Sequence, residues 1–228
     1  MRWGVLQFPG SCDERDALHA CSLSGEAHLV WHEERDLGGL DAIVVPGGFS
    51  YGDYLRAGAI ARFSPAMEAV AEFAADGGPV LGICNGFQVL CEADLLPGAL
   101  LRNENLRFVC RQVDLIEEQP ADGPIPGDMD RFSAHRRGEV LSIPAKHGEG
   151  RYYAPDETLE EMEANGQIAF RYAPGQNPNG SLRDIAGVRN EAGNVLGLMP
   201  HPEHAVDAMT GSTDGLRVFE AVAGRVAA

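Results

Sequence analysis

The sequence predicts an α/β domain built on an open, three-layer, mostly parallel sheet with helices on both faces. Three observations predict it. Short apolar runs alternate with turns and with stretches of helical spacing through the first 93 residues, the order that builds parallel sheets through crossover helices. The run at 41–45, DAIVV, is apolar without alternation, as a strand covered on both faces is. A chain of 228 residues, 44% of them hydrophobic, suffices for one sizeable core, and no Ser/Gly/Pro linker divides it, so 1–228 reads as a single domain.

The elements follow in order. Residues 3–8 form the first strand and PGS its turn; 13–22 are helical, with Asp13 an acid in the early turn. Residues 27–31 and 41–45 are the second and third strands, the latter stopped by Pro46-Gly47-Gly48. Residues 65–76 are a helix with Pro65 suited to its first turn, where a missing N–H costs nothing. Residues 79–83 are the fourth strand and 87–93 a helix. In the second half, 108–116 and 140–143 read as strands around an acidic, Pro/Gly-rich surface loop at 117–138. Residues 158–165 are helical, 168–172, 185–189 and 195–199 are short strands, and 214–226 close the chain as a helix.

The formal net charge is −16 and the pI about 4.7, which repels phosphate backbones and anionic lipid, so neither nucleic acid nor a membrane is an expected partner. Lys146 is the only lysine. Acid excess with lysine depletion suggests a surface adapted to a salt-rich cytoplasm, where counter-ions screen self-repulsion. The five cysteines, Cys12, Cys21, Cys84, Cys91 and Cys110, are odd in number and include no C-x-x-C pair, which fits reduced thiols and a cytoplasmic protein rather than a disulfide or zinc framework. The N-terminus, MRWGVLQFPG, lacks the long apolar segment of a signal peptide.

One cysteine stands in a special setting. Gly82-Ile83-Cys84-Asn85-Gly86 places a thiol between glycines where a strand ends and a helix starts. A nucleophile on such a sharp turn needs tiny neighbours, and the turn aims backbone N–H groups at the point where negative charge develops. A cysteine picked at random is more often a small core residue; the other four lack this setting and are read that way. A thiol nucleophile needs a base, and the base an orienting group. Pro200-His201-Pro202-Glu203 directly follows an apolar strand; two residues apart in extended chain, His201 and Glu203 point to one side, so Glu203 can hold one imidazole nitrogen while the other faces Cys84. Gly47 and Gly48, after the third strand, let backbone N–H groups approach a ligand closely and read as part of an oxyanion hole. No G-x-G-x-x-G or Walker sequence is present. The HGEG at 147–150 offers no third metal ligand and reads as structure or interface; no metal is expected.

These residues carry a resemblance. FPGSCDERDA (8–17), VVPGGFSYGDYLRAGAIAR (44–62), GICNGFQVL (82–90), LLRNENLRFVCR (100–111), KHGEGRYY (146–153), NPNGS (177–181) and GNVLGLMPHPEHAVD (193–207) together resemble the class I (triad) glutamine amidotransferases. Within them, the match is to the glutaminase subunits of phosphoribosylformylglycinamidine synthase, in purine biosynthesis; FSYGDYLRAGAIAR is the most specific stretch.

The resemblance implies a flavodoxin-like class I amidotransferase fold and a Cys84–His201–Glu203 triad that hydrolyses L-glutamine. It also implies an oxyanion hole from the backbone of Gly47, Gly48 and Asn85, and Gln88 as a substrate-binding residue. The ammonia would pass to a large synthetase subunit that uses ATP and magnesium, with a small subunit bridging the two and no cofactor in this chain. Other functions are open: the glutaminase subunit of another synthetase, or a cysteine peptidase or stress protein of the same architecture. In the peptidase relatives a histidine follows the nucleophile, where this chain has Asn85. The chain departs from the family at His204, where arginine is usual, and at Lys146, where a small residue is expected; neither is expected to touch the triad. SYGDYLRAG is read as a docking surface in preference to a lid beside the glutamine pocket.

Overall fold

The computed structural model describes residues 1–118 and 140–224. Its strands are β1 Arg2–Gln7, β2 Glu26–Trp31, β3 Ala42–Val45, β4 Val80–Ile83, β5 Ala99–Leu101, β6 Val109–Glu117, β7 Val140–His147, β8 Arg151–Tyr153, β9 Ile168–Tyr172, β10 Ile185–Arg189 and β11 Val195–Leu198. The helices are α1 Glu14–Ser22, α2 Pro65–Ala75, α3 Asn85–Glu92, α4 Asp156–Ala164 and α5 Leu216–Val222. Nine strands form one mixed sheet in the order β2-β1-β3-β4-β11-β10-β9-β6-β7. The first five are parallel, and the rest extend the sheet antiparallel. The parallel part has the 2-1-3-4-5 order of flavodoxin-like sheets, which place ligands beyond the carboxyl ends of their strands.

The local chemistry explains the elements. β3, β4 and β11 are buried at every residue, as uninterrupted apolar runs require. Helix α2 is capped by Ser64, whose side chain accepts the Met67 N–H at 3.3 Å, and Pro65 takes its first position. Helix α3 packs over β3, β4 and β11. Helices α1 and α5 contact each other, and Trp3 on β1 meets Phe219 on α5 edge-on, 6.1 Å between centroids. No helix among the described residues is long and apolar enough to cross a membrane.

Three elements differ from the sequence expectation. β7 runs to His147, through Pro144, where a strand was expected to stop at 143. It lies at the sheet's edge, the place where a strand tolerates a proline. The short pair β5–β8 carries too few residues to show a period. The closing helix is described only as Leu216–Val222, and 225–228, like 119–138 of the expected surface loop, lie outside the described residues.

Candidate active site

The carboxyl ends of four neighbouring parallel strands meet at one place. β1 leads to Asp13, β3 to Gly47 and Gly48, β4 to Cys84 and β11 to His201. Cys84 is the residue between β4 and α3 and has φ 50, ψ −104, a strained conformation for a non-glycine residue. The glycines around it are sterically required. A Cβ on Gly86 would run into the carbonyl oxygen of Val45, and one on Gly82 would lie 2.8 Å from the carbonyl oxygen of Gly86. The Cys84 thiol donates to the carbonyl of Lys146 at 3.8 Å.

His201 and Glu203 are both buried, and Nδ1 of His201 lies 2.6 Å from Oε1 of Glu203. Nε2 of His201 is buried and has no hydrogen-bond partner, though the ring shares a cavity with Cys84 and feels its charge. Burial opposes the charged imidazole, but its interactions with Glu203 and Cys84 together outweigh it and hold the His201 pKa well above its ordinary value.

A second layer sits behind the imidazole. Buried Asp13 places Oδ2 3.7 Å from Nδ1 of His201, while its Oδ1 receives Lys146 Nζ at 2.6 Å and lies 3.2 Å from His204 Nε2. His204 Nε2 is also 3.5 Å from Oε1 of Glu203. The expectation that Lys146 and His204 leave the triad alone is therefore corrected: one touches the thiol through its carbonyl, the other touches Glu203. Burial would raise the Asp13 pKa; the His204 hydrogen bond, the His201 charge and Lys146 hold it well below the carboxylate range. Ligand atoms of Asp13, His201, Glu203 and His204 lie within 4.8 Å of one another, a cluster in which Lys146 already supplies the cation.

In front of the thiol lies a cavity of about 260 Å³, small beside the roughly 300–1,000 Å³ of drug-sized sites and suited to a ligand of amino-acid size. Cys84, His201, Gly48 and Gln88 line it, with Asp53, Phe108 and Glu149. Gly48 has φ +138, and a Cβ there would lie 2.5 Å from the Cys12 nitrogen. Gly47 stands behind the wall: its carbonyl accepts the N–H groups of Cys12 and Asp13, both at 3.3 Å. Asn85 is buried; its Nδ2 donates to Gln88 Oε1 at 2.9 Å and to Asp53 Oδ1 at 3.2 Å, and its Oδ1 accepts the Ser50 N–H. Gln88 Nε2 donates to the Glu149 carbonyl at 2.6 Å.

The structure thus brings Cys84, His201, Glu203, Asn85, Gln88, Gly47 and Gly48 together. Sequence reading missed Asp13, Asp53 and Glu149. Asp13 was assigned to a helix's first turn, and it does occupy the N-cap of α1, yet its side chain makes no cap hydrogen bond and turns to the imidazole instead. His147 is structural: it is buried, its Nε2 meets Asn179 Nδ2 at 2.9 Å, and burial, aided by the charge of His201, pushes its pKa down to about 3. Cys21 is buried as expected, but Cys12 and Cys110 are exposed. Burial pushes the Cys12, Cys21 and Cys91 thiols up, away from the reactive thiolate form.

Residues 1–217 match the family profile described as a CobB/CobQ-like glutamine amidotransferase domain. Among curated relatives, the phosphoribosylformylglycinamidine synthase subunit PurQ of Salinibacter ruber is 53% identical over 99% of this chain and 97% of its own length. The PurQ of Synechococcus elongatus is 55% identical over the whole of both chains. Among solved structures, a chain of the PurLQS structure from Thermotoga maritima superposes with a TM-score of 0.86 at 41% identity, covering 99% of each chain. A putative GMP synthase subunit from Thermoplasma acidophilum, 16% identical over 99% of this chain and 94% of its own, shares the fold with a TM-score of 0.63.

Proposed function

The chain belongs to the PurQ family, whose members carry a CobB/CobQ-like glutamine amidotransferase domain, and from that premise we infer that it is the glutaminase subunit of phosphoribosylformylglycinamidine synthase, in purine biosynthesis. In this reading the whole chain acts as one amidotransferase domain and works with a large synthetase subunit and a small bridging subunit. One observation carries the chemistry: a strained, buried Cys84 shares a cavity with His201, whose Nδ1 is held by Glu203 and whose Nε2 is free to take a proton.

The steps follow from these atoms. Nε2 of His201 accepts the Cys84 proton, and the resulting imidazolium is stabilised by the carboxylates behind it. The thiolate attacks the side-chain carboxamide carbon of glutamine. Negative charge on the carboxamide oxygen is met by the backbone N–H groups at Gly48 and Asn85, the latter at the start of α3, where the helix dipole adds to the attraction; Gly47 holds that loop from behind through its carbonyl. His201 returns its proton to the leaving nitrogen, and ammonia departs. Water, deprotonated by the same Nε2, then attacks the γ-glutamyl thioester; the C–S bond breaks and glutamate leaves. Gln88 positions the substrate beside the thiol. The ammonia goes to the synthetase subunit, where ATP and magnesium drive its incorporation into formylglycinamide ribonucleotide to give the amidine; this chain needs no cofactor of its own.

The experiment is reconstitution of the complex with Cys84→Ala. Glutamine-dependent amidine formation should be lost while synthesis from added ammonia persists; loss of both would assign Cys84 a structural role instead.

A further inference from the structure

We propose that Asp53 and Glu149 form the subsite that recognises the α-ammonium group of the substrate, and so select an α-amino acid amide over a plain carboxamide. This rests on the glutaminase reading above.

Both side chains line the cavity that Cys84 opens into. Among the described residues, the electrostatic neighbours that act on Asp53 are Glu149, another acid, and the neutral amide of Asn85. Glu149 meets Arg102 Nε at 3.2 Å, but that arginine is largely in solvent, where such a pair is screened. Two carboxylates therefore face one small space whose positively charged side chains, Lys146 and His201, are already engaged by Asp13 and Glu203. Burial and then Glu149 raise the Asp53 pKa to about 6, against the Asn85 hydrogen bond that lowers it. A ligand carrying an ammonium group relieves this repulsion. The same cavity is lined by two buried imidazoles, those of His201 and His147, whose Nε2 and Nδ1 respectively have no partner, as expected of a chamber built to hold something polar.

The Asp53 carboxylate and the Glu149 backbone are fixed relative to the thiol. Asn85 donates to Asp53 and to Gln88, and Gln88 donates to the Glu149 carbonyl, so one hydrogen-bonded arc runs from Asp53 across the first turn of α3 to Glu149, directly after Cys84. The segment that carries Asp53 holds three non-glycine residues at positive φ, Tyr51, Asp53 and Leu55 (52, 53 and 69°). Such strain persists only when surroundings impose it. Here they do: the Tyr51 hydroxyl meets His32 Nδ1 at 2.7 Å, and Ser50 N–H donates to Asn85 Oδ1 at 3.0 Å. The SYGDYLRAG stretch, read from sequence as a docking surface, thereby delivers a substrate-facing carboxylate as well.

The test uses two diazo ketones on the reconstituted complex: 6-diazo-5-oxo-L-norleucine, and the same compound lacking the α-amino group. Each alkylates the Cys84 sulfur with loss of dinitrogen, and mass spectrometry of the Cys84 peptide reads the rate. Wild type should prefer the amino-bearing reagent in kinact/KI by on the order of 10- to 100-fold, the contribution of a hydrogen-bonded ion pair. Asp53→Asn and Glu149→Gln should each shrink that ratio, whereas a merely structural defect slows both reagents alike. An unchanged ratio in both variants, or a wild-type ratio near one, overturns the proposal while leaving the glutaminase reading intact. Failure of both reagents to modify wild-type Cys84 overturns the glutaminase reading and this subsite with it.

Discussion

Oδ2 of Asp13 lies 3.7 Å from Nδ1 of His201, the nitrogen that Glu203 holds at 2.6 Å. Two buried carboxylates thus face the same edge of one imidazole, and both favour its charged form. Lys146 and His204 secure the second carboxylate from the other side. Asp13 acts through the imidazole, as a positioning residue.

Asp13→Asn should therefore lower kcat for glutamine by about 10-fold, in the range of lost partners of a functional imidazole, with little change in KM. Steady-state kinetics of the complex measures this. A kcat equal to wild type would show that Glu203 alone orients the ring.

Gly86→Ala should destabilise the fold by about 3 kcal/mol, because the new methyl group meets the backbone of β3 rather than a movable side chain. Gly77→Ala is the comparison: it has positive φ but open space around it, so it should cost only about 1 kcal/mol. Equal denaturation midpoints for the two variants would contradict the close approach of α3 to β3.

The fold class was legible because β3, β4 and β11 are apolar at every position, and Cys84 because the glycines on either side of it mark a turn too tight for side chains. His201 and Glu203 were legible because two residues in one extended stretch share a side. Asp13 and Lys146 were not: 133 residues apart in sequence, they meet only because β1 and β7 end over the same cavity. Asp53 was hidden for a different reason. Its direction is set by left-handed backbone at three non-glycine positions, which no residue pattern announces. The edge strand was read only as 140–143, which left out the part beyond Pro144 that carries Lys146 to the thiol.

Asp53 should tax stability. Its pKa rises to about 6 on folding from the ordinary 3.8, so the native state holds this proton more tightly. The site's contribution is fully favourable below about pH 4 and is lost as pH climbs through 6. Asp53→Asn should consequently raise the unfolding free energy above pH 6 by about 1 kcal/mol, discounted for the half-exposed site's screening, with the gain vanishing below about pH 4. Parallel melts across that range check it; a variant less stable than wild type at pH 7 would contradict the account of this carboxylate.

The net charge of −16 should make the fold salt-responsive. Raising potassium chloride from about 10 mM to 1 M shortens the Debye length from about 30 Å to 3 Å and should raise the thermal midpoint. A flat or falling midpoint would remove the case for a surface adapted to high salt.

The central claim is most directly tested by acid-quenching the complex during turnover of radiolabelled glutamine and mapping the label. The account predicts a γ-glutamyl thioester on the peptide bearing Cys84. Label on Cys12 or Cys91, or ammonia release with no labelled cysteine at all, would contradict it.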